Sequence, residues 1–202
     1  DLGACAPHIW ECTRRLHLPV LCDPLSGLRF GADGPGCIAR YDAFLRNPTV
    51  ARALRPDWVL RFGAAPVSRT LTDWLRGVPA LLVGLAGRWS DPGQDAVMQL
   101  EAEPGAFCRW LARAGLVQPQ ADWTTAWDAV EARTAALASE HLSTAPWCEG
   151  HLIRDLVSSL PAGDGLLCAN SLPIRQLDAW SGTRVAPLAV FGNRGASGID
   201  GQ

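Results

Sequence analysis

The hydrophobic residues of this chain fall into two alternating patterns. Short apolar runs of four to six residues show no alternation of polar and apolar positions. Runs of this kind are typical of parallel strands that are buried on both faces under helices. Six runs predict strands, at residues 18–22, 58–62, 80–85, 97–102, 166–169 and 188–191.

Amphipathic stretches separate these runs and predict helices. Several of them begin with a capping residue or an early proline, as at Ser68, Pro104 and Ser171, which is typical of helix starts. Seven stretches have this pattern, at residues 7–16, 41–46, 68–76, 104–114, 122–142, 147–160 and 171–180. The alternation of strands and helices predicts the α/β fold class, with a mostly parallel sheet flanked by helices.

The segment 115–121, with the sequence GLVQPQA, interrupts this alternation. About forty residues with helical patterns and no predicted strand follow it, an insertion that is unusual inside one compact α/β domain. We therefore predict a boundary near residues 118–120, so that residues 1–118 form one domain and residues 119–202 begin another. A helical pattern directly after Gly3 and a final loop at 192–202 indicate that both ends are cut.

The composition excludes several classes of protein. Apolar residues make up 48% of the chain and charged residues 19%, which excludes intrinsic disorder and a coiled coil. No apolar run approaches the roughly 20 residues that a membrane span requires. The formal net charge of −2 argues against a nucleic-acid partner. All 18 basic residues are arginine, so every fixed cation is a planar fork that suits carboxylates.

The seven cysteines form no CxxC pair and are odd in number, which indicates buried thiols in a reducing compartment. The chain opens without a signal or transit segment, so we expect a cytoplasmic protein. Cys148 and His151 are close in sequence but have no further ligand at a zinc spacing, and we expect no metal site. Dinucleotide, Walker and nucleophile-elbow motifs are absent as well.

Arginines recur just past the carboxyl ends of the predicted strands. Five share this position: Arg29, Arg69, Arg88, Arg175 and Arg194. Open α/β sheets bind ligands outside these ends, and helix N-termini favour anions. The pattern therefore predicts a site for carboxylates or phosphates. The alternative is that each arginine is solvated or paired with a neighbouring aspartate, among them Asp23, Asp73 and Asp91.

Two motifs at the same residues carry a resemblance to a known family. Residues 170–175 (NSLPIR) and 193–201 (NRGASGIDG) are similar to the thiamine-diphosphate-dependent 2-succinyl-5-enolpyruvyl-6-hydroxy-3-cyclohexene-1-carboxylate synthases of menaquinone biosynthesis. Segments 23–29 (DPLSGLR), 41–46 (YDAFLR), 60–63 (LRFG) and 87–92 (GRWSDP) support the match. The matching segments follow the family's order and span nearly the whole chain.

This resemblance implies part of an enzyme with three α/β domains. The chain resembles the central domain without its first strand, followed by the truncated start of the pyrophosphate-binding domain. The implied reaction decarboxylates 2-oxoglutarate on thiamine diphosphate and adds the succinyl unit to isochorismate. Ser171, Arg175 and Arg194 match substrate-binding positions of the family, and Arg69 matches a position that is usually lysine. Arg29 and Arg88 are candidates for an additional anion site.

Two features of the family do not occur in this sequence. The glutamate that activates the thiamine ylid belongs to the pyrimidine-binding domain, and the magnesium and diphosphate motif belongs beyond Gln202. We therefore expect thiamine diphosphate and Mg²⁺ to bind the full-length parent, a homo-oligomeric transferase. The fragment itself is expected to bind neither group, to hold no catalytic residue and to be inactive.

Two alternative interpretations stay open. One is the middle region of another thiamine-diphosphate enzyme, such as a relative of acetolactate synthase. The other is a non-catalytic module that binds carboxylates through the arginines of the central domain.

Overall fold

The computed structural model describes residues 2–31, 35–85, 91–118 and 120–193. Every strand pair in these ranges is parallel, and helices pack against the sheets. The predicted α/β fold class is therefore confirmed.

Helices and strands alternate along most of the chain. The α-helices in the described ranges are α1 (Ala6–Leu16), α2 (Tyr41–Phe44), α3 (Pro48–Ala53), α4 (Arg69–Leu75), α5 (Pro104–Ala114), α6 (Ala121–Thr144), α7 (Glu149–Ser159) and α8 (Leu172–Trp180), and a short 3-10 helix at Gly3–Cys5 precedes α1. The strands are β1 (Val20–Leu21), β2 (Cys37–Ile38), β3 (Val59–Phe62), β4 (Ala80–Gly84), β5 (Ala96–Glu101), β6 (Gly165–Cys168) and β7 (Ala189–Gly192). None of these helices is long and apolar enough to cross a membrane.

Each predicted strand and helix overlaps an observed element, but the pattern does not predict β2 or α3. The start of α3 carries ordinary helix signals, since Asn47 Oδ1 accepts hydrogen bonds from the N–H groups of Thr49 and Val50 and Pro48 is the first helical residue. With only six residues, α3 is too short to display a clear apolar stripe. The two residues of β2 are likewise too few to show a strand pattern.

The sheet β3–β4–β5 has α1 and α5 packed on one face. Leu60 pairs with Leu81 and Phe62 pairs with Val83, so these side chains point to the same side of the pleat. The buried core on this side contains Ile9, Cys12, Leu16, Val83, Phe107, Cys108 and Leu111. Burial of each large apolar side chain contributes about 1.5–3 kcal/mol, so this layer holds α1 and α5 on the sheet.

The sheet β6–β7 packs on α7 and α8. Its register pairs Gly165 with Ala189 and Cys168 with Gly192, so both strands end at the same edge. The core of this layer contains Phe30, Ile153, Val157, Cys168, Ile174, Leu177 and Leu188. Phe30 comes from the loop after β1, and the next residue, Gly31, donates its N–H to the Arg184 carbonyl at 2.9 Å. The loop after β1 therefore joins the second core as well.

An aromatic cluster attaches α6 to the N-terminal half of the chain. Trp127 is 1% exposed, and its ring meets those of Phe44, Trp74 and Trp123 edge-on at centroid distances of 5.8 to 5.9 Å. Each such aromatic pair stabilises the fold by about 0.5–1.5 kcal/mol, in addition to the hydrophobic contribution of the surface that it buries. The position of α6 therefore depends strongly on Trp127.

Polar contacts fix α6 on the same side. The Asp128 carboxylate accepts the Gly36 N–H at 2.7 Å, and Arg40 forms an ion pair with Glu131 at 2.7 Å. The helix α6 follows the predicted boundary at 118–120 but packs on α2 and β2, which precede it. The division into residues 1–118 and 119–202 stays a prediction.

The C-terminal end of α6 contacts the two helices that follow it, α7 and α8. The His141 ring stacks on Trp180 of α8 at 6.3 Å, and His151 of α7 donates its Nε2–H to the Leu142 carbonyl at 2.6 Å. Leu142 is buried next to Gly150. The helix α6 therefore contacts α2 and β2 as well as α7 and α8.

We expect Trp127→Ala to lower the free energy of unfolding by about 3–5 kcal/mol, because it leaves a cavity among three aromatic rings. Leu137→Ala on the same helix is the matched control. Its side chain is 46% exposed, so we expect a loss below about 1 kcal/mol. Urea unfolding of both variants measures the difference. Equal losses would show that Trp127 does not hold α6 in place.

Candidate functional site

The carboxyl ends of β6 and β7 lie side by side and are tied together. Asn170, two residues after β6, donates its Nδ2–H to the Asn193 carbonyl just after β7 at 2.7 Å. Ser171 and Arg175 follow Asn170, and Arg194 follows Asn193 in the sequence. The structure therefore joins the two loops that carry the predicted substrate-binding residues. Arg194 itself lies outside the described residues.

Ser171 precedes the first residue of α8 in an unusual backbone conformation. Its φ of 69° and ψ of −123° are rarely adopted by residues with a side chain. Strain of this kind is about 1–3 kcal/mol per residue and is concentrated at functional sites. The side chain is exposed, and within the described part of the chain its hydroxyl makes no hydrogen bond, not even to its own helix. This hydroxyl is available to a ligand.

Arg175 lies one turn into α8 and is exposed. Among the residues that the structure describes, it forms no ion pair or hydrogen bond. A cation near a helix N-terminus opposes the helix dipole by about 0.3–1 kcal/mol, and a bound anion reverses this unfavourable term. Ser171 and Arg175 therefore offer a hydroxyl and an unpaired guanidinium beside one helix N-terminus.

Arg69 is the first residue of α4, where Ser68 caps the helix by accepting the Leu71 N–H at 2.9 Å. The Arg69 side chain is 91% exposed and pairs with Asp73 at 3.2 Å. An exposed i,i+4 pair contributes only about 0.3–0.5 kcal/mol, so a carboxylate ligand can compete with Asp73.

Asp23 connects the loop before Arg69 to the loop after β1, a role that the sequence pattern did not predict. Its two carboxylate oxygens accept the Leu25 N–H at 2.9 Å and the Val67 N–H at 2.6 Å. Leu25 and Val67 pack against the β6–β7 core, and Leu25 lies close to Gly192 at the end of β7. The DPLS sequence at residues 23–26 is typical of a turn and could have predicted the contact of Asp23 with Leu25. The contact with Val67 joins residues 44 apart and has no such sequence pattern.

Arg29 is buried, contrary to the expectation of an anion-binding role. Its side chain is 0% exposed. Its Nε–H donates to the Cys22 carbonyl, and its four remaining N–H groups donate to the Asp178 carbonyl, Asp178 Oδ1, Ser181 Oγ and Tyr41 hydroxyl. The guanidinium therefore has no donor left for an external anion. Arg88, the other candidate for this role, lies outside the described residues.

The Asp178 carboxylate is the charged partner of Arg29. Arg29 Nη2 lies 2.5 Å from Asp178 Oδ1, and the Tyr41 hydroxyl donates to the same oxygen at 3.0 Å. Burial raises the pKa of Asp178, while the neighbouring Arg29 charge acts in the opposite direction. Burial also raises the pKa of the Tyr41 hydroxyl well above its usual value, which keeps it a neutral donor.

The described residues do not supply a ligand set for a metal ion. They contain no group of three or more histidine, cysteine, aspartate or glutamate side chains arranged to hold one. Cys148 Sγ lies 3.3 Å from His151 Nδ1, but the other ring nitrogen of His151 is hydrogen-bonded to the Leu142 carbonyl. Cys148 and His151 are therefore not part of a three-ligand group in the described part of the chain.

Comparison with known proteins defines the class to which this fold and site belong. The family described as the middle domain of thiamine pyrophosphate enzymes matches residues 6–168. The chain belongs to this family of thiamine-dependent enzymes.

The similar proteins narrow the class further and agree with the resemblance carried by the NSLPIR and NRGASGIDG motifs. The chain is 40% identical over 206 residues to the 2-succinyl-5-enolpyruvyl-6-hydroxy-3-cyclohexene-1-carboxylate synthase of Geobacillus thermodenitrificans, covering 100% of this chain and 35% of that protein. It is 40% identical over 216 residues to the Chloroflexus aurantiacus synthase, with the same coverage, and 37% identical over 191 residues to that of Dechloromonas aromatica, covering 93% and 34%. The chain spans about a third of the length of these relatives.

We expect Ser171→Gly to raise the free energy of unfolding by about 1 kcal/mol, because glycine adopts this φ without strain. Ser158→Gly inside α7 is the matched control and should lower it by about 0.5 kcal/mol through helix propensity. Thermal or urea unfolding gives both values. A loss of stability in both variants would contradict the strained conformation of Ser171.

Proposed function

We propose that this chain is part of a thiamine-diphosphate-dependent synthase that decarboxylates 2-oxoglutarate and adds the succinyl unit to isochorismate in menaquinone biosynthesis. The observation that carries the proposal is the paired edge of β6 and β7, where Ser171 and Arg175 are exposed without a partner in the described structure. The 40% identity to synthases of this name supports the choice of substrates.

The chemistry of the two substrates fits this edge. Both are dicarboxylates, and a guanidinium binds a carboxylate through two parallel hydrogen bonds. In the proposal, Arg175 and Arg194 provide these forks, and the Ser171 hydroxyl and the N–H groups at the start of α8 provide further donors. Arg69 is a secondary contact that exchanges Asp73 for a substrate carboxylate.

Catalysis in this proposal requires the remainder of the full-length protein. In the proposal, thiamine diphosphate and Mg²⁺ are bound by other domains, as the family resemblance implies for a chain that spans about a third of its relatives. The parent is then a cytoplasmic, homo-oligomeric transferase. The names of the relatives favour this reaction over that of an acetolactate synthase. The burial of Arg29 weakens the other alternative, a separate module that binds carboxylates.

In the full-length protein, we expect Arg175→Ala and Arg194→Ala each to lower kcat/KM for a carboxylate substrate by about 10- to 150-fold. The loss corresponds to one charge-assisted hydrogen bond of about 1.5–3 kcal/mol. Lysine should restore only part of the activity, because a point charge lacks the bidentate fork. Steady-state kinetics with 2-oxoglutarate and isochorismate varied separately measure the effect.

The matched control for Arg175 is Arg154→Ala. Arg154 is an exposed arginine on α7 whose ion pair with Asp155 is long, at 3.6 Å. We expect unchanged kinetics in this variant and unchanged melting temperatures in all of them. Full kcat/KM for both substrates in both alanine variants would remove Arg175 and Arg194 from the site.

We expect the isolated 202-residue chain to show no decarboxylation of 2-oxoglutarate with thiamine diphosphate and Mg²⁺. The full-length protein, assayed under the same conditions, should show it. Circular dichroism establishes beforehand that the isolated chain is folded. Turnover by the isolated chain would refute the assignment of the catalytic groups to the remainder of the protein.

A further inference from the structure

Arg29 connects the loop after β1 to the end of α8. It donates to the Asp178 carbonyl at 2.9 Å, to Asp178 Oδ1 at 2.5 Å and to Ser181 Oγ at 3.3 Å. The same guanidinium is anchored on the other side by the Cys22 carbonyl at 2.7 Å and the Tyr41 hydroxyl at 3.1 Å. The end of α8 is therefore held by directional bonds from a side chain that is itself fixed.

The proposed substrate-binding residues lie in the first half of the same short helix or directly before it. The helix α8 has nine residues, with Ser171 preceding its first and Arg175 three residues before Asp178. Residues three apart are neighbours on a helix surface. A rotation or shift of α8 that moves Asp178 therefore moves Arg175 with it.

The apolar contacts of α8 do not set this position alone. Ile174 and Leu177 hold the helix on the β6–β7 core, but hydrophobic burial is non-directional. Three hydrogen bonds of Arg29, to Asp178 and Ser181, restrain the rotation of α8 and its position along its axis. The other two anchor the guanidinium to Cys22 and Tyr41. Buried ion pairs are often replaceable by apolar residues without loss of stability. Stability alone therefore does not explain the buried Arg29–Asp178 pair, whereas a role in positioning α8 does.

We propose that Arg29 and Asp178 are positioning residues that orient α8 so that Ser171 and Arg175 meet the substrate carboxylate. Neither residue contacts the substrate. The proposal rests on the proposed function for its kinetic consequence, but the orientation of α8 by Arg29 is measurable without any substrate.

The kinetic test is a double-mutant cycle in the full-length protein. We expect Arg29→Lys, which keeps the charge but loses the fork, to lower kcat/KM for a carboxylate substrate by about 10- to 100-fold, mainly through KM. In a Ser171→Ala/Arg175→Ala background the same change should lower kcat/KM by less than about threefold, because both residues that it orients have lost their side-chain contacts. Equal losses in the two backgrounds would overturn the proposal.

The matched control is Arg40→Lys, which loses a guanidinium hydrogen bond to Glu131 on α6 at 2.7 Å and not one to α8. It should lower the melting temperature and leave kcat/KM within about twofold. A fall in kcat/KM equal to that of Arg29→Lys would show a general effect of destabilisation and would overturn the positioning role. If Arg29→Lys fails to fold, the double variant Arg29→Met/Asp178→Leu removes both charges and takes its place in the cycle.

Hydrogen exchange gives a readout that does not depend on the reaction. We expect Arg29→Lys to speed amide exchange in the peptide 172–180 at least tenfold, with α5 unchanged, whereas Arg40→Lys should leave peptide 172–180 unchanged. Absence of turnover in the unmodified protein, with this exchange pattern intact, refutes the proposed function and leaves the orientation of α8 supported. Unchanged exchange in peptide 172–180 refutes the positioning role itself.

Discussion

The buried guanidinium of Arg29 is the constraint on which the arrangement of the chain depends. A charge with no exposure is tolerated only when its donors are matched, because an unpaired buried charge is strongly destabilising. Its acceptors come from the end of β1, from α2 and from α8, and Asp178 lies 149 residues away in sequence. These elements must therefore assemble together. If the two halves of the chain took independent positions, the Arg29 guanidinium would be exposed to water or left without its hydrogen-bond acceptors.

Much of the fold was predictable because its physical causes are local. The continuous apolar run of β4 is buried, as expected for a parallel strand under helices. The expectation of burial on both faces is wrong for β5, β6 and β7, which leave Val97, Leu167 and Phe191 exposed. Helix starts leave N–H groups without partners, and the side chains of Ser68 and Glu103 satisfy them at α4 and α5. The grouping of Ser171 with the end of β7 also follows from a simple rule, since neighbouring parallel strands end at the same edge.

The parts that sequence reasoning missed depend on contacts between distant residues. Arg29 follows a strand end just as Arg175 does, yet one is buried and the other exposed. Nothing near Arg29 reveals this difference, because its partner Asp178 sits in an amphipathic helix where an aspartate is expected at the surface. In the same way, the contact from Asp23 to Val67 has no local signal. A strand-end arginine alone therefore cannot distinguish a ligand site from a buried ion pair.

The helix α6 has a consequence for how this chain can change during evolution. It is anchored near its start by Trp127 and near its end by Leu142, fifteen residues later. These anchors are about 22 Å apart along the axis, and their relative direction is fixed by the helical repeat. One inserted residue between them would turn Leu142 by about 100° away from α7. Insertions or deletions of about whole turns, of three, four or seven residues, keep both anchors on the same face of the helix but change the distance between them by about 1.5 Å per residue.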